Sequence, residues 1–232
     1  MKITFNFKIL VGLLALLLIT SIYLFSNGDK AISDIKPREI SQQEGIKIVA
    51  FGDSLTAGYG LPLNDSYPAQ LESKLIENGH EVRVINSGVS GETTRGNLER
   101  AEFISSQNPD IVLLGIGGND ALRLFPLEDT RSNIEKTISI LKSDENPPVV
   151  ILLHMKAPLN AGLSYAQRFS KMYEELADKH NLPIVPFITT ELFLKSENKL
   201  PDGIHYNKVG YEQVVELYLL DTVTQVIDAM SQ

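Results

Sequence analysis

The sequence predicts a three-layer α/β/α sandwich built around a five-stranded parallel sheet. Two observations carry this prediction. Five short runs rich in Val and Ile alternate with amphipathic segments between residues 46 and 229. Most of these runs are continuously apolar instead of alternating, as in strands that are buried on both faces. Successive β-α units require right-handed crossovers, which place helices on both sides of the sheet.

The elements can be placed along the chain in order. We expect strands at residues 46–51, 82–85, 111–116, 149–153 and 184–187. Apolar residues at helical spacing predict helices at residues 68–77, 94–106, 130–141, 164–180 and 206–229. In the first of these, Leu71 and Leu75 are four residues apart and therefore lie on one face.

Residues 1–28 do not fit this pattern and are predicted to be a signal peptide or an N-terminal membrane anchor. Lys2 and Lys8 precede an uncharged run at residues 9–25 that is dominated by Leu and Ile. These 17 residues meet the lower limit of the roughly 17–25 that cross a bilayer. The cleavage site is not clear, which favours a retained anchor over a cleaved signal. Either form contacts the membrane and exports the remainder, to the periplasm or to the outer side of the membrane.

The rest of the chain divides into a polar tether at residues 29–45 and one domain at residues 46–232. Beyond residue 28 the chain carries 19 basic residues against 29 acidic ones. So acidic a domain is a poor partner for nucleic acid, because phosphate contacts need Lys and Arg. The chain has no Cys, which excludes disulfides, thiolate nucleophiles and zinc–thiolate sites.

Polar, glycine-rich stretches follow the predicted strands. They occupy residues 52–60 (GDSLTAGYG) after the first strand, 86–91 (NSGVSG) after the second and 117–120 (GGND) after the third. A fourth stretch, residues 202–205 (DGIH), precedes the last helix. Ligands bind beyond the carboxyl ends of the strands in such sheets, so we expect these stretches to share one rim.

Nucleotide and metal sites fit these stretches poorly. A phosphate-binding P-loop needs a Lys, and residues 52–60 contain none. Residues 115–120 begin like a dinucleotide-binding motif but carry Asp120 where the last Gly belongs, and this carboxylate would repel a pyrophosphate. Asp202 and His205 are too small a set for a metal. We therefore predict neither a cofactor nor a metal.

A serine nucleophile explains the stretches better. A serine hydroxyl reacts once a base takes its proton, and a third group must hold that base in one tautomer. Ser54, His205 and Asp202 supply these three residue types. The N–H groups of Ser54 and Gly88 and the side-chain amide of Asn119 are candidate oxyanion donors. Taken singly, Ser54 could instead cap a helix, and Asp202 or Gly88 could simply form a turn.

The spacing separates this chain from the α/β-hydrolases. Their nucleophile elbow reads G-x-S-x-G, with Asp and His on separate loops. Here Thr56 replaces the second Gly, and Asp202 lies three residues before His205. One loop must therefore carry both residues.

The four stretches together, in this order and spacing, resemble the GDSL or SGNH hydrolases over roughly residues 46–226. Within them the chain is most similar to bacterial multifunctional esterases of the lysophospholipase, thioesterase and arylesterase type. The resemblance implies a flavodoxin-like strand order, with Ser54 as nucleophile, His205 as base and Asp202 as its orienting carboxylate. It also implies an oxyanion hole formed by the N–H groups of Ser54 and Gly88 and by the amide of Asn119. Two departures are Tyr206, where a Pro is usual, and Leu124, where a Gly is common and a change in the acyl pocket is expected.

The predicted reaction is two-step acyl transfer from a small-molecule or lipid acyl ester, or from a thioester. Leu122, Leu124 and Phe125 follow Asn119 and are candidate walls of an acyl pocket. Two other classes stay open. One is a carbohydrate O-acetylesterase of the same superfamily, and the other is a non-catalytic exported module.

Overall fold

The computed structural model describes residues 30–37 and 45–231. The predicted signal or anchor at residues 1–28 lies outside these residues, as do residues 29 and 38–44 of the predicted tether. None of the helices in the described ranges is long and apolar enough to span a bilayer.

The described part of the predicted tether packs on the domain. Residues 30–33 form a helical turn, and Ala31 is buried. Ile32 and Ile35 pack against the core, and the Asn181 amide donates to the carboxylate of Asp34 at 3.1 Å. The apolar side chains at positions 31, 32 and 35 explain why this part of a largely polar segment contacts the domain.

A five-stranded sheet forms the centre of the domain. Its strands are β1 (Ile46–Gly52), β2 (Val82–Gly88), β3 (Ile111–Gly115), β4 (Val149–His154) and β5 (Ile184–Pro186). They pair in parallel in the order β2-β1-β3-β4-β5. This is the flavodoxin-like order, so the predicted fold class is confirmed.

Helices cover both faces of the sheet. In chain order they are α1 (Ser54–Ala57), α2 (Tyr67–Glu77), α3 (Thr94–Ser106), α4 (Gly118–Leu122), α5 (Leu127–Leu141), α6 (Leu163–His180), α7 (Thr190–Phe193), α8 (Lys208–Val214) and α9 (Leu220–Met230). A π-helical segment, Val215–Leu219, joins α8 to α9. On one face α2 packs against this C-terminal helical run, while on the other α3 packs against α5 and α5 against α6.

Burial differs between the central and edge strands. All five residues of β3 are buried, and β1 is buried at every position but one. None of the residues of β2, at one edge of the sheet, is fully buried, whereas two of the three residues of β5, at the other edge, are buried. β2 also extends three residues beyond its predicted end and reaches Gly88.

The register brings three strand ends to one level. Gly52 at the end of β1 pairs with Gly88 of β2 and with Gly115 of β3. The chain therefore leaves these strands at neighbouring points of the carboxyl rim. The strand order reverses between β1 and β3, which is where ligands bind in doubly wound sheets.

Candidate active site

Ser54 is the first residue of α1, directly beyond the end of β1. The Asp53 carboxylate accepts a hydrogen bond from the N–H of Leu55 at 3.0 Å and so caps this short helix. Strand and helix meet so closely that a Cβ on Gly52 would lie 2.1 Å from Oγ1 of Thr56 and 2.4 Å from the carbonyl oxygen of Gly115. Gly52 is therefore required for the close approach of strand and helix, and Asp53 for the cap of the helix that Ser54 begins.

Helix α1 has four residues, too few to be stable alone. Two side chains from distant parts of the chain hold its carbonyl groups. Tyr211 donates its hydroxyl to the carbonyl oxygen of Leu55 at 2.8 Å. The Asn86 amide donates to that of Thr56 at 2.9 Å. These bonds fix the backbone that presents the hydroxyl of Ser54.

The loop before α8 carries both Asp202 and His205. Lys199 and Tyr206 form an antiparallel bridge at its base, and the N–H of Leu200 donates to the carbonyl oxygen of His205 at 2.9 Å. Inside the loop, Oδ1 of Asp202 accepts the N–H groups of Ile204 at 2.9 Å and His205 at 3.0 Å. The loop thus curls until the carboxylate and the imidazole face each other.

A continuous line of hydrogen bonds joins three side chains. Oδ2 of Asp202 lies 2.6 Å from Nδ1 of His205, and Nε2 of the same ring lies 2.8 Å from Oγ of Ser54. An ionised carboxylate only accepts hydrogen bonds, so it selects the tautomer with hydrogen on Nδ1. Nε2 is then the acceptor for the hydroxyl hydrogen of Ser54.

Electrostatics favours this arrangement. Burial opposes the charged form of Asp202, but the N–H of His205, its ring and the N–H of Ile204 all donate to the carboxylate. The hydrogen bonds outweigh burial, and the pKa of Asp202 lies below its ordinary value. The carboxylate is therefore ionised at neutral pH.

The three predicted oxyanion donors lie at the carboxyl ends of β1, β2 and β3. Ser54 begins α1, Gly88 is the last residue of β2, and Asn119 lies in α4. The N–H of Ser54 occupies the first helical position, where no acceptor exists within the helix. The N–H of Gly88 donates to Oδ1 of Asn86 at 3.0 Å. Nδ2 of Asn119 donates to the carbonyl oxygen of Glu92 at 3.0 Å and to Oδ2 of Asp53 at 3.4 Å. Two of the three donors therefore already have acceptors within the protein.

Asp53 and Asp120 are buried carboxylates beside this site. Burial raises the pKa of Asp53 to about 7, against the hydrogen bonds from Leu55 and Asn119. Asp120 accepts the N–H and the hydroxyl of Thr94 at 2.9 and 2.6 Å, and so joins α4 to the start of α3. Both residues therefore shape the loops around Ser54.

A cavity of about 350 Å³ opens beside Ser54. Its walls come from the loops after β1, β3, β4 and β5 and from the loop that carries His205. They are predominantly apolar, and the residues that contribute this apolar surface are Leu55, Leu122, Ala157, Pro158, Ile188, Phe193, Leu194 and Ile204.

Of the three predicted wall residues, Leu122 lines this cavity, whereas Leu124 and Phe125 do not. Leu124 has a φ of 53°, in the left-handed region that favours Gly. The chain turns there, leaving the Leu124 side chain 55% exposed. The backbone at this position therefore has the conformation that Gly adopts most easily, and the side chain of Leu124 does not line the cavity.

Other residues at the site were not predicted from the sequence. The ring of Tyr59 lies 4.6 Å from that of His205, centre to centre. Ile188 and Phe193 line the cavity beyond β5, and Ala157 lines it beyond β4. The rule that ligands bind after strand ends applies equally to β4 and β5 and could have found them. Tyr59 stands between two glycines inside the stretch that carries Ser54.

A parallel doubly wound sheet with a Ser–His–Asp line on its carboxyl rim is the arrangement expected of a serine hydrolase, and one loop that carries both Asp202 and His205 distinguishes it from the α/β-hydrolase fold. Comparison with known proteins agrees with this class of enzyme. The model of the GDSL-like Lipase/Acylhydrolase family matches residues 50–213, and the chain belongs to this family.

Relatives and solved structures support the assignment. The chain is 36% identical over 166 residues to an arylesterase of Vibrio mimicus, covering 71% of this chain and 82% of that protein. It is 33% identical over 162 residues to thioesterase 1/protease 1/lysophospholipase L1 of Escherichia coli strain K12, covering 69% of this chain and 76% of that protein. It superposes on AlinE4, an SGNH-hydrolase family esterase, with a TM-score of 0.65 and 35% identity, covering 82% and 99%. The protein is thus an enzyme of the esterase class that acts on acyl ester substrates.

Proposed function

We propose that the protein hydrolyses carboxylic acyl esters and thioesters, including aryl esters and lysophospholipids, through an acyl-enzyme on Ser54. One observation carries the proposal. The line of hydrogen bonds from Asp202 through His205 to Ser54 ends at the apolar cavity. The names of two relatives, an arylesterase and a thioesterase/lysophospholipase, support the range of substrates.

In the first step Oγ of Ser54 attacks the carbonyl carbon of the substrate. Nε2 of His205, which lies 2.8 Å from this oxygen, accepts the hydroxyl proton. The imidazolium that forms is stabilised by Asp202, 2.6 Å from Nδ1. The tetrahedral intermediate carries its negative charge on the former carbonyl oxygen.

That oxygen needs donors that are already in place. The N–H of Ser54 is the first. Asn119 supplies the second by exchanging its 3.4 Å contact with Asp53 for the oxyanion, while its 3.0 Å bond to Glu92 holds the amide in position. Gly88 supplies the third, since an oxyanion is a stronger acceptor than the amide oxygen of Asn86.

The intermediate collapses when His205 returns its proton to the leaving alcohol or thiol. Water then attacks the acyl-enzyme, with the same imidazole as base, and the carboxylic acid leaves. The acyl chain lies against the apolar wall formed by Leu122, Ile188 and Phe193. The cavity volume is near the lower end of the range for small-molecule sites, which favours acyl chains of medium length.

We further propose that residues 1–28 direct export and that residues 46–232 are the catalytic domain. An anchor would hold the domain at the outer face of the membrane, near lipid substrates. Cell fractionation of the full chain tests this part, since recovery in the cytoplasm alone would contradict it.

Labelling with a fluorophosphonate tests the proposed nucleophile. We expect the wild-type protein to be labelled and Ser54→Ala to be unlabelled and inactive on p-nitrophenyl esters. Ser90→Ala is the matched control, because this serine lies on the neighbouring β2–α3 loop and is exposed. Labelling that survives Ser54→Ala would refute the assignment.

The acyl-chain preference needs a panel of p-nitrophenyl esters from acetate to palmitate. We expect kcat/KM to rise from acetate towards medium chains as the apolar wall is covered. A preference for acetate, together with release of acetate from glycans, would favour the carbohydrate esterase instead.

A further inference from the structure

Two lysines line the active-site cavity of this otherwise acidic chain. Lys156 follows β4, and Lys199 begins the loop that carries Asp202 and His205. Nζ of Lys156 donates to the hydroxyl of Thr190 at 3.2 Å. Nζ of Lys199 lies 4.7 Å from the ring centre of Phe193.

Helix α7 brings the two ammonium groups to one side of the cavity. Thr190 and Phe193 are three residues apart on α7, so their side chains are neighbours on the same face. Each of them holds one lysine, and both also line the cavity. The backbone of Lys199 is fixed by its bridge to Tyr206.

Neither lysine has an acidic partner in the described part of the chain, where no carboxylate oxygen lies within 4.0 Å of either Nζ. Four other lysines of the described residues pair with carboxylates, namely Lys74, Lys171, Lys179 and Lys208. Lys47 and Lys142 donate to backbone carbonyl oxygens instead. Burial lowers the pKa of Lys156, in agreement with a partly buried ammonium whose hydrogen-bond partner is neutral. A cation in this position is better satisfied by an anion from outside the protein.

We propose that Lys156 and Lys199 form a subsite for a phosphate group on the alcohol part of the ester substrate. This inference rests on the proposed function. An alkyl acyl chain carries no charge, so the ionised group of a lipid ester lies on its alcohol side. Ser54 and both lysines line one small cavity, which favours a phosphate only a few bonds from the scissile ester, as in acylated glycerol phosphate.

The kinetic consequence is specific. The alcohol part leaves during acylation, so phosphate recognition affects kcat/KM and not the hydrolysis of the acyl-enzyme. Substrates that share an acyl group but differ in the phosphate therefore separate the subsite from the acyl pocket. Both lysines are partly exposed, so salt weakens the preference.

The test compares 1-octanoylglycerol 3-phosphate with 1-octanoylglycerol, each below its critical micelle concentration. We expect wild type to prefer the phosphorylated ester at least about tenfold in kcat/KM, and each single Lys→Gln change to reduce this preference about threefold to fivefold. In Lys156→Gln/Lys199→Gln the preference, which is the ratio of the two kcat/KM values measured on the same variant, should fall to about one. The matched control is Lys171→Gln, a lysine paired with Glu175 outside the cavity, which should keep the preference.

Inorganic phosphate distinguishes a free anion from one attached to the substrate. If it inhibits hydrolysis of p-nitrophenyl octanoate by wild type but not by the double variant, the subsite binds phosphate itself. If it does not inhibit but the preference persists, the subsite needs the glycerol attachment. Both results support the proposal.

An equal preference in wild type and the double variant would overturn the subsite. Hydrolysis of p-nitrophenyl octanoate that still depends on Ser54 would then leave the proposed function standing. Failure of the proposed function gives a different result, namely activity that survives Ser54→Ala.

Discussion

Replacing Asp202 by Asn isolates the tautomer of His205 from the shape of its loop. The new side-chain oxygen can still accept the N–H groups of Ile204 and His205, now 2.9 and 3.0 Å from Oδ1. Its NH₂ group would face Nδ1 of His205, 2.6 Å from the present Oδ2. Nδ1 must then accept a hydrogen bond, which moves the ring hydrogen to Nε2. A protonated Nε2 cannot take the proton of Ser54.

The size of the effect follows from two contributions. Losing the carboxylate removes an attraction to the imidazolium of about 4 kcal/mol, for charges 4 Å apart at an effective dielectric constant of 20. The side chain of Asp202 is 33% exposed, so solvent screening reduces this to about 2–3 kcal/mol. Returning the ring hydrogen to Nδ1 breaks the hydrogen bond from the new amide, which costs about 1–2 kcal/mol more. The sum, about 4 kcal/mol, corresponds to a loss of roughly 10³ in kcat/KM.

The assay is hydrolysis of p-nitrophenyl butyrate at pH 7.5, with the rate of fluorophosphonate labelling as a second measure of Ser54 reactivity. We expect the melting temperature of Asp202→Asn to stay close to that of wild type, because the loop keeps its backbone contacts. Asp65→Asn is a matched control, since its carboxylate pairs with Lys208 on the surface. A well-folded Asp202→Asn within tenfold of wild-type kcat/KM would refute the reasoning.

Three further predictions concern the surroundings of Ser54. Asn119→Ala removes a proposed oxyanion donor and should lower kcat/KM about 10²–10³-fold. A loss below threefold in a folded variant would exclude that role. Gly88→Ala would place a Cβ 2.2 Å from the backbone nitrogen of Ala57. Urea unfolding should therefore show that the free energy of unfolding falls by about 2 kcal/mol or more. An unchanged urea midpoint would contradict this close contact between β2 and α1. The pKa of Asp53 is about 7 in the folded protein, above the ordinary pKa of 3.8 for this side chain. Between these two pH values the folded protein keeps a proton that the unfolded chain releases. The free energy of unfolding therefore falls as the pH rises from about 4 to 7. Urea unfolding across this pH range should show that Asp53→Asn makes the free energy of unfolding less dependent on pH, by at most about 1.4 kcal/mol per pH unit. An equal pH dependence in wild type and variant would contradict the raised pKa.

Local signals in the sequence were sufficient for the fold, and they indicated the side chains that the structure brings together at the carboxyl rim. Strand and helix periodicity depends on residues close together in the chain, and the alternation of β and α elements leaves few ways to connect a parallel sheet. The Gly-Asp-Ser turn is also local. Gly52 allows the close approach of α1, and Asp53 caps the helix that Ser54 begins.

Only the tertiary structure decided which loops meet around the cavity. The walls of the cavity come from the loops after four different strands, and no local pattern gives the distances between them. Proximity to Asn119 in sequence indicated Leu124 and Phe125, but a left-handed turn at Leu124 takes them away from the cavity. The placement of Lys156 and Lys199 around α7 is likewise tertiary. The sequence determined which chemical groups reach the rim, because strand ends are local, whereas packing between distant loops determined which of them face one another.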